Sequence, residues 1–353
     1  MEYKKQIGSL TETVIAQGAS DLHLIAGNRP VVRVSGSLTT LLSEPELSNA
    51  DMEGFIDALL SDEQKKRFLE TKEIDFSWSY GDKARFRGNG YVERGVIGIA
   101  LRLIPQQIKT LAELNLPPIL ETFAGREQGF FLVVGPVGQG KTTTLASMIE
   151  LINQTRSDHI ITIEDPIEYL FENKRSLVDQ REVRIDTASF DVALQSVFRQ
   201  DVDVVMIGEM RTPETISTAV TAAETGHLVF STLHTNNAAQ TVDRIIDSFP
   251  AAQQGQIRIQ LASSLIGIFS QRLVPRVAGG LIPVYELMIN NDAVGNLIRE
   301  KRTHELQTVI ETGTSEGMID MNRSLAELVR AGEITIETAY SRSWNPKTLE
   351  RLL

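Results

Sequence analysis

Residues 129–142 read GFFLVVGPVGQGKT, and the fold of the surrounding chain can be predicted from them. An apolar run, Phe130–Val134, leads into Gly135-x-x-x-x-Gly140-Lys141-Thr142, which fits the phosphate-binding P-loop pattern. That pattern requires a strand before the loop and a helix after it, and the flanking residues predict both. A chance glycine-rich turn is the alternative, and the strand–loop–helix context disfavours it.

Each group of the predicted loop has a task at the phosphates of a nucleotide. The glycines let the backbone approach closely, while consecutive N–H groups and the helix N-terminus hold the negative charge. We expect Lys141 to reach the β- and γ-phosphates and the Thr142 hydroxyl to ligate Mg²⁺. The predicted nucleotide-binding residues are Gly135, Pro136, Val137, Gly138, Gln139, Gly140, Lys141, Thr142 and Thr143.

The chain beyond residue 118 alternates short apolar runs with helical stretches, which predicts a mostly parallel sheet covered on both faces. The predicted strands are Gly129–Gly135, Ile160–Pro166, Val202–Glu209 and Leu228–Leu233. The predicted helices between them are Thr142–Asn153, Phe190–Arg199, Pro213–Thr225 and Ala238–Phe249. We expect the tail from about Gln253 to be largely helical, including Gln256–Leu273, Ala293–Arg299 and Arg323–Arg330.

The first hundred residues predict a separate small α/β domain with an antiparallel meander, because their strands alternate apolar and polar residues. Its predicted strands are Asp21–Ala26, Val31–Val34, Ile74–Tyr80, Lys83–Glu93 and Val96–Leu103, and its predicted second helix is Asp51–Glu70. Pro105–Pro118, with three prolines, is the predicted linker. The predicted domains are therefore 1–104 and 119–353.

Composition supports two soluble domains and excludes several classes of protein. A chain of 353 residues is long for one hydrophobic core, and its 42% hydrophobic and 23% charged residues are typical of globular proteins. The absence of cysteine excludes disulfides and thiolate metal sites. The apolar runs are too short to span a bilayer, and no secretory signal begins the chain, so we expect a cytoplasmic protein. A net charge of -11 argues against nucleic-acid binding.

Acidic side chains follow two of the predicted strands. Glu209 ends Val202–Glu209, at the carboxyl edge where doubly wound sheets bind ligands. It could hold a metal directly or through water, or it could simply lead the next helix. Glu164, Asp165 and Glu168 crowd the segment ITIEDPIEY, where one of them could deprotonate an attacking water. A solvated acidic turn is the alternative there.

Two histidines, His227 and His234, flank the predicted strand Leu228–Leu233. They lack a third partner at zinc-ligand spacing. Each is therefore either structural or a group that senses or stabilises charge near a γ-phosphate.

Four motifs in order, GPVGQGKT, ITIEDPIEY, VVMIGEMR and TAAETGHLVFSTLHT, resemble the secretion ATPase superfamily of type II secretion and type IV pili. ASDLHL (19–24) and RFRGN (85–89) resemble that family's N-terminal domain, and VDQREV (178–183) and the stretch from Pro250 resemble its C-terminal domain. Within the superfamily the chain is most similar to the PilT-type retraction ATPases. It begins at the family's second domain and lacks the four-cysteine zinc element of many assembly-type relatives.

The resemblance implies a fold and a set of roles. The fold is α/β: a small PAS-like domain with an antiparallel sheet, then a RecA-like P-loop ATPase domain with a mostly parallel sheet and a helical C-terminal region. The implied cofactors are ATP and Mg²⁺. The resemblance implies that Glu209 is the Walker B acid and Glu164 the general base. It implies that His227 and His234 are a histidine pair near the γ-phosphate. It also implies arginines aimed at nucleotide, for which surface ion pairs are the alternative; these are Arg85, Arg87 and Arg102.

The resemblance also implies a homohexamer that powers pilus disassembly and retraction, the basis of twitching motility. Its implied partner is a PilC-like inner-membrane platform protein, through which it docks peripherally at the membrane without spanning it. A PilU-like accessory ATPase acting on a partner motor and an assembly or secretion ATPase are alternatives within the family. A nucleic-acid translocase is an alternative outside it, which the acidic balance disfavours.

Small departures from the family pattern concern three positions. The segment AVGNLIRE (293–300) resembles the retraction signature but has Gly295 where the family usually has arginine. This residue bears on motor output more than on hydrolysis. Val137 and Gln139 depart inside the P-loop, where their side chains are not expected to contact phosphate.

Overall fold

The computed structural model describes residues 2–34, 36–81, 83–105 and 107–353. The chain divides into two compact units, one of residues up to 107 with 168–170 and one of 108–167 with 171–353. Within the predicted linker, Gln106 lies outside the described residues. Residues 108–118 belong to the second unit, where Leu111 and Leu116 are buried. These leucines pack that part of the segment, and the role of 105–118 as a linker stays a prediction.

The first unit, here called unit 1, is built on an antiparallel sheet. Its helices are α1 (Glu2–Ala16), α2 (Asn49–Leu59) and α3 (Asp62–Thr71), and its strands are β1 (Asp21–Ile25), β2 (Val31–Val34), β3 (Ser37–Thr40), β4 (Glu73–Tyr80), β5 (Ala84–Glu93) and β6 (Val96–Ile104). Over the described residues the strands form one sheet in the order β3-β2-β1-β6-β5-β4. The predicted meander is confirmed as β4-β5-β6.

Two details of unit 1 differ from the prediction. The single helix predicted over Asp51–Glu70 is two helices, because Leu60 is extended and Ser61 begins α3 with a capping box to Gln64. Strand β3 was not predicted, since all four of its residues are exposed and no buried alternation marks it.

The second unit, here called unit 2, contains a larger sheet between helices. Its helices are α4 (Ile119–Ala124), α5 (Lys141–Thr155), α6 (Phe190–Val197), α7 (Pro213–Glu224), α8 (Ala238–Asp247), α9 (Ala251–Ser264), α10 (Asp292–Arg299), α11 (Leu306–Thr312), α12 (Met321–Arg330), α13 (Ile336–Arg342) and α14 (Pro346–Leu352). Its strands are β7 (Gly129–Val134), β8 (His159–Glu164), β9 (Leu177–Glu182), β10 (Val204–Ile207), β11 (Leu228–Leu233), β12 (Leu265–Pro275) and β13 (Leu281–Ile289).

The sheet of unit 2 is mostly parallel, as predicted. Over the described residues its order is β13-β12-β7-β11-β10-β8-β9, and only the β12–β13 pair is antiparallel. Hydrophobic cores cover both faces, and β7 and β11 are buried along their whole length. No helix among the described residues has both the length and the apolar character that crossing a bilayer requires.

The helix predicted over Gln256–Leu273 is wrong in its second half. Helix α9 ends at Ser264, and Leu265 begins strand β12, which pairs with β7 on one side and β13 on the other. Ile268 and Phe269 are fully buried, each in the hydrophobic core on one of the two opposite faces of the sheet. A short apolar run is compatible with helix or strand, and here pairing with β7, about 135 residues earlier in the chain, decides the outcome.

Candidate active site

The P-loop connects β7 to α5, and the strand and helix predicted on either side of it are confirmed. Gly135, Gly138 and Gly140 have φ angles of 149°, 76° and 77°, which favour glycine. A Cβ added to Gly135 would lie 2.3 Å from the carbonyl oxygen of Gln271. The loop backbone therefore crosses β12 so closely that no side chain fits at position 135.

Lys141 is 7% exposed and lies at the centre of the site. Its Nζ donates to the carbonyl oxygens of Gly135 (2.8 Å) and Pro136 (2.9 Å) and lies 3.3 Å from Nδ1 of His234. His234 Nε2 lies 3.6 Å from Oε2 of Glu209, whose other oxygen contacts Arg211. The lysine, the histidine and the acid therefore form one continuous chain of polar contacts.

Glu164 lies beside that chain, at the end of β8. It is 3% exposed, and its Oε1 accepts hydrogen bonds from Thr162 Oγ1 (2.6 Å) and Gln180 Nε2 (3.2 Å). Ile163 of β8 pairs with Ile207 of β10, which brings Glu164 next to Gly208 and hence close to Glu209. The two acids named from the sequence meet at one edge of the sheet.

His227 lies elsewhere. It precedes β11, where its carbonyl accepts from Gly129 N at the start of β7, whereas His234 follows the end of β11. At about 3.3 Å per strand residue the backbones of the two histidines are about 23 Å apart. His227 Nδ1 lies 3.0 Å from the Ala222 carbonyl, and its ring meets Phe198 edge-on. Within one chain, then, only His234 of the predicted pair lies near the P-loop.

The three arginines predicted to aim at nucleotide share one face of the unit 1 sheet. Arg85 and Arg87 alternate on β5 with buried neighbours, and Arg87 is directly opposite Arg102 on β6. Arg102 Nε donates to Asp21 Oδ1 at 2.9 Å. Burial raises the pKa of Asp21, but hydrogen bonds from Ser20 and Arg102 outweigh it and hold the pKa below its usual value. Arg102 thus has the ion pair expected as the alternative, and Arg87 forms none among the described residues.

The residues present fit a Mg²⁺ site in which phosphates and water would supply most of the ligands. Among the described residues no group of three or more histidine or acidic side chains could hold a metal ion alone. Thr142 lies in the first turn of α5, next to Lys141, and Glu209 follows β10. Mg²⁺ that depends mainly on phosphates and water needs only one or two such protein ligands.

A family model described as "Type II/IV secretion system protein" matches residues 3–340. The chain is 43% identical to the type IV pilus retraction ATPase PilT of Pseudomonas aeruginosa over 331 residues, covering 94% of this chain and 96% of that one. It is 39% identical to the type IV pilus ATPase PilU of the same species over 354 residues, covering 100% and 91%. A crystal structure of the pilus retraction motor PilT with bound ADP matches with a TM-score of 0.92 and 46% identity, covering 98% and 99%.

The chain belongs to the type II/IV secretion system protein family. It is a PilT-like ATPase, with the mixed α/β architecture of that solved structure.

Sequence reasoning missed Gln271, a residue of this secretion ATPase that contacts the P-loop directly. Its Nε2 donates to the Gln139 carbonyl, and its Oε1 accepts from Thr144 Oγ1, both at 2.7 Å. No local motif marks Gln271, and the segment that carries it was predicted to be helical. The sequence signal that could have placed Gln271 on a strand is the apolar run that contains Ile268 and Phe269 and ends at Pro275.

Sequence reasoning also missed a cavity of about 220 Å³ beside the P-loop of this secretion ATPase. Its walls include Thr143 of the predicted phosphate site and the apolar side chains of Leu114, Leu273 and Pro283. Polar side chains such as Lys109 and Glu113 complete the lining, and such a mixture of apolar and polar groups is typical of ligand pockets. These walls come from the predicted linker and from two strands that the sequence did not predict.

Proposed function

We propose that this protein hydrolyses ATP as the hexameric motor of a type IV pilus system and powers pilus disassembly and retraction, the basis of twitching motility. The observation that carries the proposal is the continuous chain Lys141–His234–Glu209 at a P-loop, in a PilT-like chain. The relative solved with ADP supports a nucleotide as the ligand. The apolar cavity beside Thr143 is the proposed place of its base.

Lys141 and His234 have linked roles in this proposal. Because an ammonium group only donates hydrogen bonds, His234 Nδ1 accepts from Lys141, and the histidine proton lies on Nε2, facing Glu209. Phosphate oxygens can replace the Gly135 and Pro136 carbonyls as acceptors for Lys141 Nζ. His234 then links the lysine to the acid, accepting at Nδ1 and facing Glu209 with Nε2.

Glu209 and Glu164 have different tasks. Glu209, with Thr142, is the proposed protein ligand of Mg²⁺, directly or through water, and the ion when bound neutralises phosphate charge. Glu164 is the proposed general base, because two donors fix the orientation of its carboxylate at the edge of the sheet. Both acids follow neighbouring strands at one edge of the sheet, so Glu209 would hold the ion and Glu164 would accept the proton of water within one site.

The proposed assembly is a closed head-to-tail hexameric ring, in which each subunit contacts the next through different surfaces. Arg85, Arg87 and Arg102 are proposed to act on the nucleotide of a neighbouring subunit, where an arginine can neutralise transition-state charge. The proposed partner is a PilC-like inner-membrane platform protein, which places the ring at the inner membrane. A paralogous pilus ATPase is a second proposed partner, supported by the similarity to PilU.

An accessory, PilU-like role is the second candidate function. The chain is similar to PilU along its whole length, and Gly295 departs from the retraction signature. Expression of this protein alone in a strain that lacks its own retraction ATPases distinguishes the two. Restored retraction supports the motor, and restoration only together with a PilT-type partner supports the accessory role.

The test of the site is Lys141→Ala. We expect this variant to lose ATPase activity and pilus retraction, because among the described residues the lysine is the only side-chain cation that contacts the loop carbonyls. Its melting temperature should stay close to that of the wild type. Lys347→Ala, which removes an exposed lysine of α14, is the matched control and should keep full activity. Wild-type turnover by Lys141→Ala would refute the assignment.

A further inference from the structure

Two glutamines, one on the P-loop and one on β12, connect these two segments by hydrogen bonds. Gln271 is 3% exposed; its Nε2 donates to the Gln139 carbonyl and its Oε1 accepts from Thr144 Oγ1, each at 2.7 Å. In return, the Oε1 of Gln139 accepts from the backbone N–H of Leu273 at 2.8 Å. One side chain from each segment therefore bonds the backbone of the other, and Thr144 adds the first turn of α5 to the network.

The length of β12 explains why the P-loop can be held in this way. Strand β7 ends at Val134, which pairs with Ser270, whereas β12 continues to Pro275. Beyond Ser270 the P-loop replaces β7 as the neighbour of β12. A backbone N–H at a partly buried position needs an acceptor, and Gln139 supplies one to Leu273.

Steric contact reinforces the hydrogen bonds. A Cβ at Gly135 would meet the Gln271 carbonyl oxygen at 2.3 Å, and a Cβ at Gly140 would meet Gln271 Nε2 at 3.0 Å. Both ends of the glycine-rich loop therefore lie directly on one residue of β12. A segment rich in glycine has many conformations open to it, so fixing one of them before a ligand arrives lowers the cost of binding.

We propose that Gln139 and Gln271 form a clamp that holds the P-loop in its phosphate-binding shape before nucleotide binds. The proposal rests on the proposed function, since it assumes that this loop binds nucleotide. Both are positioning residues, because they bond the loop and α5. Loss of the clamp should weaken nucleotide binding and leave the chemical step largely intact, since Lys141, Glu164 and Glu209 keep their own contacts.

The experiment compares variants that keep side-chain length but remove the hydrogen bonds. Gln271→Met and Gln139→Met are titrated with ADP by calorimetry, and their KM and kcat for ATP are measured. We expect each to raise the Kd for ADP and the KM for ATP about fivefold to tenfold, the effect of losing about one neutral hydrogen bond, with kcat within about twofold. The double variant should lose less than the product of the two effects, because the residues share one network.

Two further comparisons keep the test independent of folding. Thr144→Val removes the hydroxyl that Gln271 accepts from, and Thr144→Ser keeps it, so the valine variant should bind ADP more weakly than the serine variant. Gln154→Met makes the same chemical change at an exposed site of α5, where the only side-chain hydrogen bond within the described part of the chain is to Glu150, and it should bind ADP as the wild type does.

The outcomes separate the clamp from the proposed function. Wild-type ADP affinity in Gln271→Met or Gln139→Met, even with a lower melting temperature, would overturn the clamp and leave a purely structural contact. If a methionine variant does not fold, equal ADP affinity of Thr144→Val and Thr144→Ser would overturn it instead. Failure of the wild-type protein to bind ADP would overturn the proposed function, and the clamp with it.

Discussion

At the scale of single residues, the two histidines around β11 show that the end of the strand at which a residue lies determines which side chains it contacts. His234 lies at the carboxyl end, within 3.3 Å of Lys141 Nζ, whereas His227 lies at the amino end against Phe198. Both belong to one motif, and their residue type alone does not distinguish them. Their contacts do, because the P-loop lies at the carboxyl edge of the sheet.

Replacing His234 with glutamine tests this difference. We expect His234→Gln to lower kcat about 100-fold, because it removes the imidazole between Lys141 and Glu209 from a preorganised site. His227→Gln is the matched control and should change kcat by less than about threefold. ATPase assays on both purified variants measure the effect, and an equal loss in the two would contradict the assignment.

At the scale of secondary-structure elements, β13 carries a buried acid whose hydrogen bonds, among the described residues, are to α8 and β12 alone. Glu286 is 0% exposed; its Oε1 accepts from Ala238 N (2.9 Å) and weakly from Ser270 Oγ (3.5 Å), and its Oε2 has no hydrogen-bond partner among the described residues. Burial raises its pKa to about 7, and the nearby Asp320 adds to the shift. This acid fixes the start of α8 at a cost in stability.

The pH dependence of stability tests that cost. Because the folded-state pKa lies above the unfolded one, Glu286 favours folding in its protonated form, and this contribution is lost as pH rises from about 4.5 to about 7. Glu286→Gln should therefore be more stable than wild type at pH 8.5, by up to about 3 kcal/mol at 1.36 kcal/mol per pKa unit, with the gain shrinking toward pH 5.

Urea unfolding at several pH values measures the gain. Glu121→Gln, an exposed acid on α4, is the control and should show no such trend. A destabilised Glu286→Gln at pH 8.5, or a difference that does not depend on pH, would refute the assigned protonation behaviour.

Helix α10 makes a second prediction at this scale. Gly295 lies in its interior at a right-handed backbone angle, and a Cβ there would lie 3.5 Å from the Ala262 carbonyl oxygen, an ordinary contact. Gly295→Ala should stabilise the protein by about 0.5–1 kcal/mol, because glycine is a poor helix former. Gly255→Ala in α9, where a Cβ meets nothing within 4 Å, should give a similar gain. Chemical unfolding measures both, and a loss confined to position 295 would mean that α10 requires a glycine there.

At the scale of the whole molecule, the proposed ring requires each site to use residues of two subunits. Arg87 is the best candidate for the contribution in trans, because Arg102 is already paired with Asp21. The ring geometry makes this testable without a structure of the assembly. Two inactive variants that each lack one catalytic group can restore activity in a mixed ring only if one active site takes the two groups from different subunits.

Rings of mixed composition provide the measurement. Lys141→Ala and Arg87→Gln should each be nearly inactive alone, whereas rings co-assembled from equal amounts should recover activity, since about a quarter of their interfaces contain both intact groups. The ATPase rate of the co-assembled protein measures this recovery. A rate no higher than the average of the two parents would place Arg87 in its own subunit's site or outside catalysis.

Local sequence was enough to predict the strand, loop and helix around Lys141, the parallel strands β7, β8, β10 and β11, and the meander of unit 1. These features follow from apolar periodicity and from glycines at backbone angles that other residues rarely adopt. Three features became visible only in the folded chain: the strands within 265–289, the contact of Gln271 with the P-loop, and the contact of His234, rather than His227, with Lys141. Each of these features depends on contacts between segments far apart in the chain, and local sequence does not predict which distant segment a given segment will contact.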